Sequence, residues 1–285
     1  MSRIAYVNGN YVPLREAGVH VEDRGYQFSD GVYEVCALRG GMMLDLDEHL
    51  ERLDNSLAAL RIDPPMSRAA LKTVMRETVR RNHVGDGLVY LQITRGVAPR
   101  DHKFPAQARP ALTITVRPVR LQDIEKIHTK GIKIITRKDE RWARCDIKSV
   151  SLLANVMAKQ AAQDVGAVET WLTDEAGMVR EGASTTAWIV DAQGVLRTRP
   201  LGHDILGGIT REILLKVISS QGVTFEERPF SVDEALQARE AFSSASTLTL
   251  YPVVEIDGHQ IGDGKPGSLT MALLSGYKEI STKTS

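Results

Sequence analysis

The sequence predicts an α+β fold in two domains. Short segments with the two-residue alternation of strands are interspersed with longer segments of helical periodicity. The turn sequences Asn8-Gly9 and Asp257-Gly258 lie between strand-like segments, and such turns join antiparallel neighbours. The first half has strands followed by helices, and the second half mixes the two. We therefore expect mainly antiparallel sheets with flanking helices.

A charged stretch divides the chain. Residues 117–130 are rich in charge and are followed by Gly131, which we interpret as the boundary. A small N-terminal domain is expected over 1–120, an interdomain linker over 121–130 and a larger domain over 131–285.

The first half is expected to contain several strands and two helices. The strand-like segments are 4–14 as a hairpin, 31–38 with a return at 42–46, 88–94 and 111–116. The first helix, 47–60, has leucines at helical spacing: Leu46, Leu50, Leu53, Leu57 and Leu60. Residues 67–82 form the second helix. Residues 21–31 and 95–105 are rich in turn formers and are expected to be loops.

The second half is expected to contain strands, a hairpin and four helices. Strands are predicted at 132–136, 169–173, 187–190, 225–230 and 241–246, and residues 253–261 are predicted to form a hairpin across Asp257-Gly258. The helices are predicted after Ser149, from about 209 to 220, at 232–238 and from about 268.

The composition is that of an ordinary globular protein. Of 285 residues, 42% are hydrophobic and 25% are charged, and the formal net charge is +0, so no overall field favours nucleic acid. No apolar run approaches the roughly 20 residues that cross a bilayer. Two cysteines, Cys36 and Cys145, are too few for a disulfide framework or a metal site. We expect a cytoplasmic protein with reduced thiols and no bound metal.

Lys148 is the candidate nucleophile. Ser149 follows it and has the side chain of a helix N-cap, and apolar residues recur at helical spacing from Val150. Flanked by Ile147 and Val150, the ammonium would be partly desolvated, which favours a neutral amine able to attack a carbonyl. An ordinary solvated lysine fits the same residues.

Glycines before a predicted helix suggest an anion site. Gly207-Gly208 precede Ile209-Thr210 and a helical segment that ends near Ser220. Free backbone N–H groups and the helix dipole favour a phosphate at such a helix start. The pattern is common, and by itself it does not distinguish a site from a plain helix start.

Five motifs together resemble pyridoxal-phosphate enzymes of the branched-chain and D-amino-acid aminotransferase family, of fold type IV. They are DRGYQFSDGVYEV at 23–35, RGVAPRDHKFP at 95–105, RWARCDIK at 141–148, EGASTT at 181–186 and LGGITR at 206–211. The resemblance extends from about Tyr6 to Gly264 and is greatest to the D-amino-acid aminotransferases. It implies a two-domain type IV fold whose larger C-terminal domain binds the cofactor.

The resemblance implies roles for the cofactor residues. Lys148 would hold pyridoxal 5′-phosphate as its Schiff-base lysine and then move a proton between substrate Cα and cofactor C4′. Glu181 would face the ring nitrogen and favour the protonated ring. Arg52, the backbone N–H groups of Ile209 and Thr210, and the Thr210 hydroxyl would hold the phosphate. The remaining implied neighbours of the cofactor are Ser184, Leu206, Ser246, Thr247 and, near the lysine, Arg141.

A carboxylate trap is implied by three further residues. Tyr33, Arg100 and His102 resemble the trap that holds the substrate carboxylate, so that the Cα hydrogen of a D-amino acid faces Lys148. In this family Arg100 and His102 come from the neighbouring subunit, so the resemblance implies a homodimer with shared sites. Its substrates would be D-amino acids and 2-oxo acids.

Each candidate also has a structural interpretation when the residues are considered without the resemblance. Tyr33 fits a core tyrosine, and Arg52 fits a solvated arginine with a packed stem. Arg100 and His102 fit exposed loop residues, and Glu181 fits a turn carboxylate.

The sequence departs from the family pattern beside Glu181 and at 248–251. Ala183, Thr185 and Thr186 replace the serines and asparagine that often follow the glutamate. Leu-Thr-Leu-Tyr at 248–251 replaces a segment that is expected to be more polar in the family. Alternatives on the same fold are a branched-chain L-amino-acid or R-amine aminotransferase and an aminodeoxychorismate lyase. A phosphate-ligand binding domain without catalysis is the non-enzymatic alternative.

Overall fold

The computed structural model of the chain describes residues 3–281, which form two compact units. The first unit contains the chain up to Arg120 together with Ile147–Ser151, and the second begins at Leu121 and resumes at Leu152. Lys148 therefore groups with the first unit, although the sequence-based boundaries place it in the domain 131–285.

The first unit is built on a six-stranded antiparallel sheet. The strands follow the order β2-β1-β6-β5-β3-β4 across it. Their bounds are β1 (Ile4–Val7), β2 (Asn10–Pro13), β3 (Gly31–Arg39), β4 (Met42–Met43), β5 (Gly87–Thr94) and β6 (Ala111–Pro118). The Asn8-Gly9 hairpin turn is confirmed, because both residues have positive φ angles, 46° and 100°.

Helices α1 (Arg24–Phe28), α2 (Leu46–Leu60) and α3 (Arg68–Asn82) belong to the first unit. The core packs α2 and α3 against the sheet, with Leu50, Leu53 and Leu57 of the predicted stripe fully buried. Alternate residues of β3 face this core, and they include Glu34.

The second unit is built on a nine-stranded mixed sheet. The strand order is β12-β11-β10-β13-β14-β7-β8-β9, and β15 pairs with β14. The bounds are β7 (Ile132–Lys138), β8 (Glu169–Thr173), β9 (Val179–Gly182), β10 (Thr186–Val190), β11 (Leu196–Thr198), β12 (Phe225–Glu227), β13 (Glu240–Ala245), β14 (Thr249–Ile256) and β15 (His259–Gln260). Antiparallel pairs predominate, and the α+β prediction is confirmed. Three pairs, β11–β12, β14–β7 and β7–β8, are parallel.

The second sheet carries a hydrophobic cluster on each face. Along β10, Ala187 and Ile189 join one cluster, whereas Trp188 and Val190 join the other. The helices of this unit are α4 (Leu121–Lys130), α5 (Leu153–Asp164), α6 (Ile209–Ser220), α7 (Val232–Leu236) and α8 (Ser268–Ser281). Within residues 3–281, no helix has the length and apolar character needed to cross a bilayer.

Two predicted irregular segments are helical. Residues 24–28 form α1, whose first turn is capped by the Asp23 carboxylate, which accepts from Gly25 N. One turn of helix is too short to leave a periodic signal. The expected linker 121–130 is the amphipathic helix α4, which buries Ile124 and His128, and its many charged residues obscured that pattern.

The helix after Lys148 begins later than predicted. Ser149 does not cap it, since α5 begins at Leu153 and has no side-chain cap. Residues 148–150 are instead extended along β3, because Tyr33 N donates to Lys148 O and Val150 N donates to Gly31 O, each at 3.0 Å.

The apolar face of α5 is exposed to solvent within the chain. Leu153, Val156 and Met157 are 74%, 60% and 59% exposed. The apolar residues that recur at helical spacing therefore form a surface that residues 3–281 leave largely uncovered.

Candidate active site

The backbone of Lys148 is fixed against the first unit. Besides the hydrogen bond from Tyr33 N, Lys148 N donates to Ser56 Oγ at 3.3 Å. The side chain is half-buried, and its Nζ lies 4.3 Å from the centroid of the Tyr33 ring. The strand pairing thus aims the amine along the face of β3 that carries Tyr33.

Tyr33 belongs to a small polar and aromatic surface on that face. Its ring stacks on Tyr90 of β5, with centroids 5.7 Å apart and an interplanar angle of 29°. Tyr90 donates to Gln92 Oε1 at 2.7 Å, and burial, reinforced by Tyr33, raises the pKa of Tyr90 to about 12. The Tyr90 phenol is therefore a neutral support for the Tyr33 ring at physiological pH.

Arg52 is oriented by a buried carboxylate. Its Nε and Nη2 donate to the two oxygens of Glu34 at 2.8 and 2.7 Å, and His49 Nδ1 lies 2.7 Å from Glu34 Oε2. Burial would raise the pKa of Glu34, but the charge of Arg52 and the hydrogen bonds from Arg52 and His49 lower it to about 2. Arg52 is thus a guanidinium held in a fixed orientation by Glu34.

Glu181 has two hydrogen-bond donors in the second unit. Arg141 Nη1 donates to Glu181 Oε1 at 2.5 Å, and Leu206 N donates to Oε2 at 3.2 Å. Asp139 in turn accepts two bonds from the Arg141 side chain, both at 2.9 Å, and one from Arg180 Nη1 at 3.0 Å. Burial would lower the pKa of Arg141, yet Asp139 and Glu181 raise it. This arrangement favours an ionised Glu181.

Thr210 lies in the first turn of α6, where the sequence predicts an anion site. Its Oγ1 is buried and has no hydrogen-bond partner among residues 3–281. Gly208 is the N-cap and offers no side chain to the first-turn N–H groups of Ile209 and Thr210. A buried hydroxyl left unsatisfied costs about 1–3 kcal/mol. A phosphate group placed there would satisfy the hydroxyl and the N–H groups together, so these residues fit the phosphate of pyridoxal phosphate.

The other predicted cofactor neighbours lie in the second unit. Ser184 donates to Glu169 Oε2 at 2.7 Å, and Thr247 Oγ1 lies 2.5 Å from Tyr251 OH. Ser246 is half-buried directly after β13. Ser184 and Thr247 are therefore oriented by neighbours that the sequence analysis did not name as site residues.

Arg100 and His102 lie on an exposed loop of the first unit. The Arg100 guanidinium carbon is 4.5 Å from the centroid of the Phe28 ring, and the His102 ring is 5.4 Å from it. Arg100 Nη1 also donates to Gln27 at 3.4 Å. Among residues 3–281, their hydrogen bonds and ring contacts are with these residues and not with Tyr33. One chain therefore does not assemble the three trap residues in the described part.

Glu34 and Glu169 are buried site residues that the sequence analysis missed. Glu34 is 0% exposed and Glu169 is 1% exposed. A carboxylate at a core-facing position of a strand signals a buried partner, because buried charges are almost always paired. The alternation of β3 could have identified Glu34, whereas β8 is buried on nearly every residue and offers no such contrast.

Comparisons with known proteins identify relatives over nearly the whole chain. The family model for amino-transferase class IV matches residues 31–256. A D-alanine aminotransferase of Bacillus licheniformis is 44% identical over 263 residues, which cover 92% of each chain. One from Staphylococcus haemolyticus is 37% identical over 286 residues, covering 98% of this chain and 99% of the relative.

The fold is also that of solved structures. The branched-chain amino acid aminotransferase of Escherichia coli superposes with a TM-score of 0.90 at 23% identity, covering 100% of this chain and 96% of the other. A second branched-chain amino acid aminotransferase, from T.th., was solved with pyridoxamine 5′-phosphate and gives a TM-score of 0.90 at 24% identity with the same coverage. The chain belongs to the class IV aminotransferase family and is a pyridoxal-phosphate-dependent transaminase.

Proposed function

We propose that the protein transfers the amino group of D-amino acids such as D-alanine to a 2-oxo acid such as 2-oxoglutarate. The observation that carries this proposal is the 36–44% identity, over nearly the whole chain, to several proteins named D-alanine aminotransferase. The trap residues Tyr33, Arg100 and His102 support it, because an arginine, a phenol and an imidazole together can bind a carboxylate.

The residues proposed to hold the cofactor follow the family resemblance. When bound, pyridoxal phosphate would supply an electron sink for the negative charge that develops at substrate Cα. Glu181, which accepts a hydrogen bond from Arg141, would hold the proton on the ring nitrogen. The hydroxyl and N–H of Thr210, the N–H of Ile209 and the guanidinium of Arg52 would bind the phosphate.

Lys148 moves the proton in this proposal. Its amine would remove the proton from substrate Cα and carry it to the C4′ position of the cofactor. The backbone bonds from Tyr33 and to Ser56 keep the residue in place while the side chain moves. Tyr33 binds the substrate carboxylate on the side where its ring contacts Lys148 Nζ.

The proposed enzyme is a homodimer in the cytoplasm. Arg100 and His102 contact Phe28 rather than Tyr33, which supports the proposal that they bind substrate in the partner subunit's active site. The apolar face of α5 is exposed within the chain, which supports its burial against a second copy of the chain. Both cysteines are free and buried, which suits a reducing compartment.

One absorption experiment tests the reaction. D-alanine added to the purified holoenzyme should shift the visible cofactor band to the shorter wavelength of the amine form, and 2-oxoglutarate should restore it. Lys148→Ala is the control variant. It should lack the original absorption band, and D-alanine and 2-oxoglutarate should not interconvert two cofactor forms.

Conversion by L-leucine and not by D-alanine would overturn the proposal and favour a branched-chain enzyme. Pyruvate release from aminodeoxychorismate without amino transfer would favour the lyase.

A further inference from the structure

Three buried charged side chains form a cluster at the start of β3. Asp30 accepts from Arg24 Nε at 2.8 Å, and from Nε and Nη2 of Arg95 at 2.7 and 2.9 Å. The side chains of the two arginines are 4% and 8% exposed. We call Arg24, Asp30 and Arg95 the Asp30 cluster. None of the three was assigned a role by the sequence analysis.

The Asp30 cluster contacts the loop 97–105, which carries Arg100 and His102. Arg24 Nη1 donates to the carbonyl of Asp101 at 2.5 Å, and Asp101 is the residue between them. The Arg95 guanidinium lies 3.7 Å from the centroid of the Phe104 ring. The cluster therefore fixes the loop at two points, one between the trap residues and one just beyond them.

Phe28 completes this support from the same short helix. Its ring is contacted by the guanidinium groups of Arg24, at 4.8 Å, and of Arg100, at 4.5 Å, and by the ring of His102. The position of Arg24 thus bears on both trap residues, through Asp101 on one side and through Phe28 on the other.

The backbone ties the two segments together as well. Arg24 N donates to Gly96 O at 2.9 Å, and Arg95 N donates to Asp30 O at 3.0 Å. These bonds hold the base of the loop, whereas its tip, from 99 onward, is held by side-chain contacts that include those of Arg24 and Arg95.

A simple structural role does not explain all of these contacts. Two guanidinium groups around one carboxylate stabilise little on balance, because their desolvation offsets much of the attraction. The two arginines instead fix the geometry of the loop, since each uses a second edge or face of its guanidinium to contact a loop residue.

We propose that the Asp30 cluster is a positioning device that holds Arg100 and His102 in the orientation that binds the substrate carboxylate. The proposal rests on the function proposed above. Arg24, Asp30 and Arg95 do not touch the substrate in it. They set the affinity for the carboxylate by keeping the loop tip in one arrangement.

Asp30→Asn tests the proposal, with Asp191→Asn as its matched control. Asp191 is also paired with an arginine, Arg197, at 2.7 Å, and its side chain is 12% exposed against 10% for Asp30, but it lies in the second unit. Hydrogen exchange of the amides of 97–105 in the holoenzyme measures the loop directly. The KM and kcat for D-alanine measure its consequence.

We expect Asp30→Asn to speed loop exchange and to raise KM about tenfold while kcat changes less than about threefold, since small misplacements of binding groups are costly. Asp191→Asn should change neither. Unchanged loop exchange, or a fall in kcat without a rise in KM, would overturn the proposal. A wild-type enzyme that does not react with D-alanine would refute the proposed function instead. The hydrogen exchange of the amides of 97–105 in Asp30→Asn would still test the positioning role.

Phe104→Leu decides the matter if Asp30→Asn does not fold. Phe104 is half-exposed, so its loss leaves the core intact while it removes the ring beneath Arg95. Faster loop exchange with a raised KM supports the proposal, and wild-type values of both overturn it.

Discussion

Thr210 carries a buried hydroxyl for which we propose a ligand. It lies in the first turn of α6, is 2% exposed and has no partner among residues 3–281. Folding the chain without cofactor therefore leaves an unsatisfied polar group, and binding of a phosphate removes that penalty.

Thr210→Val should weaken cofactor binding and stabilise the apoprotein. We expect the cofactor Kd to rise about tenfold, which is about 1.4 kcal/mol. The free energy of unfolding without cofactor should rise by about 1 kcal/mol, because an unsatisfied hydroxyl is replaced by a methyl group. Fluorescence titration with pyridoxal phosphate and urea unfolding of the apoprotein measure the two quantities.

Thr198→Val is the control for that substitution. The Thr198 hydroxyl is equally buried but donates to Ala187 O at 2.8 Å. Its loss should destabilise the apoprotein and leave the cofactor Kd unchanged. Equal behaviour of the two variants would show that the orphaned hydroxyl of Thr210 does not serve the phosphate.

At the same scale, sequence motifs propose candidate site residues more readily than the residues that support them. Lys148, Glu181 and Thr210 are candidates because their motifs are local in the sequence. The partners Glu34 and Asp139 are not, since each acts through a contact made in the folded chain. A carboxylate 18 residues from its arginine has no spacing rule that would reveal the pair.

Helix α5 shows what helical spacing predicts and what it leaves open. The spacing of apolar residues predicts the helix and its apolar face, but not what covers that face. In the chain, Ala158 and Ala162 pack inward, while Leu153, Val156 and Met157 face solvent. Periodicity reports that a face will be covered and does not say whether the same chain covers it.

Val156→Glu should weaken the proposed dimer. A charge in the centre of an apolar contact is costly to desolvate, so we expect the sedimentation coefficient to fall toward that of a monomer at micromolar concentration. The unfolding free energy of the separated subunit should change little, because Val156 is already exposed within the chain.

Leu121→Glu is the matched control, since Leu121 is also an exposed apolar helix residue. It lies at the first position of α4, where an acidic side chain suits the helix dipole. This variant should sediment like the wild type. A Val156→Glu protein that stays dimeric would place the subunit contact elsewhere.

The arrangement of the whole molecule was predicted as a class and not as a topology. Hairpin turns such as Asp257-Gly258 gave the antiparallel pairs, because the turn and both strands are adjacent in sequence. The parallel pairing of β7 with β8 crosses over through α5, which is the usual connection of parallel strands. The parallel pairing of β7 with β14 joins segments far apart in the chain, and no local pattern specifies it. The grouping of Ile147–Ser151 with the first unit has the same origin, in the pairing of this segment with β3.

The proposed sharing of active sites between subunits predicts that activity requires residues from two chains. Lys148→Ala removes the amine, and Arg100→Ala removes a carboxylate ligand, so each homodimer should retain little activity toward D-alanine. In a mixed dimer, the Lys148 of one subunit and the Arg100 of the other form one intact site. After the two variants are unfolded together and refolded with cofactor, about half of the dimers are mixed, so activity should recover to about a quarter of wild type.

Arg100→Ala mixed with His102→Ala is the control, because every site in that mixture lacks one loop residue and no recovery is expected. Recovery in the first mixture alone would establish that the loop serves the partner subunit. If the first mixture gives only the sum of its parents, Arg100 acts within its own chain, and its contact with Phe28 would have to change when substrate binds.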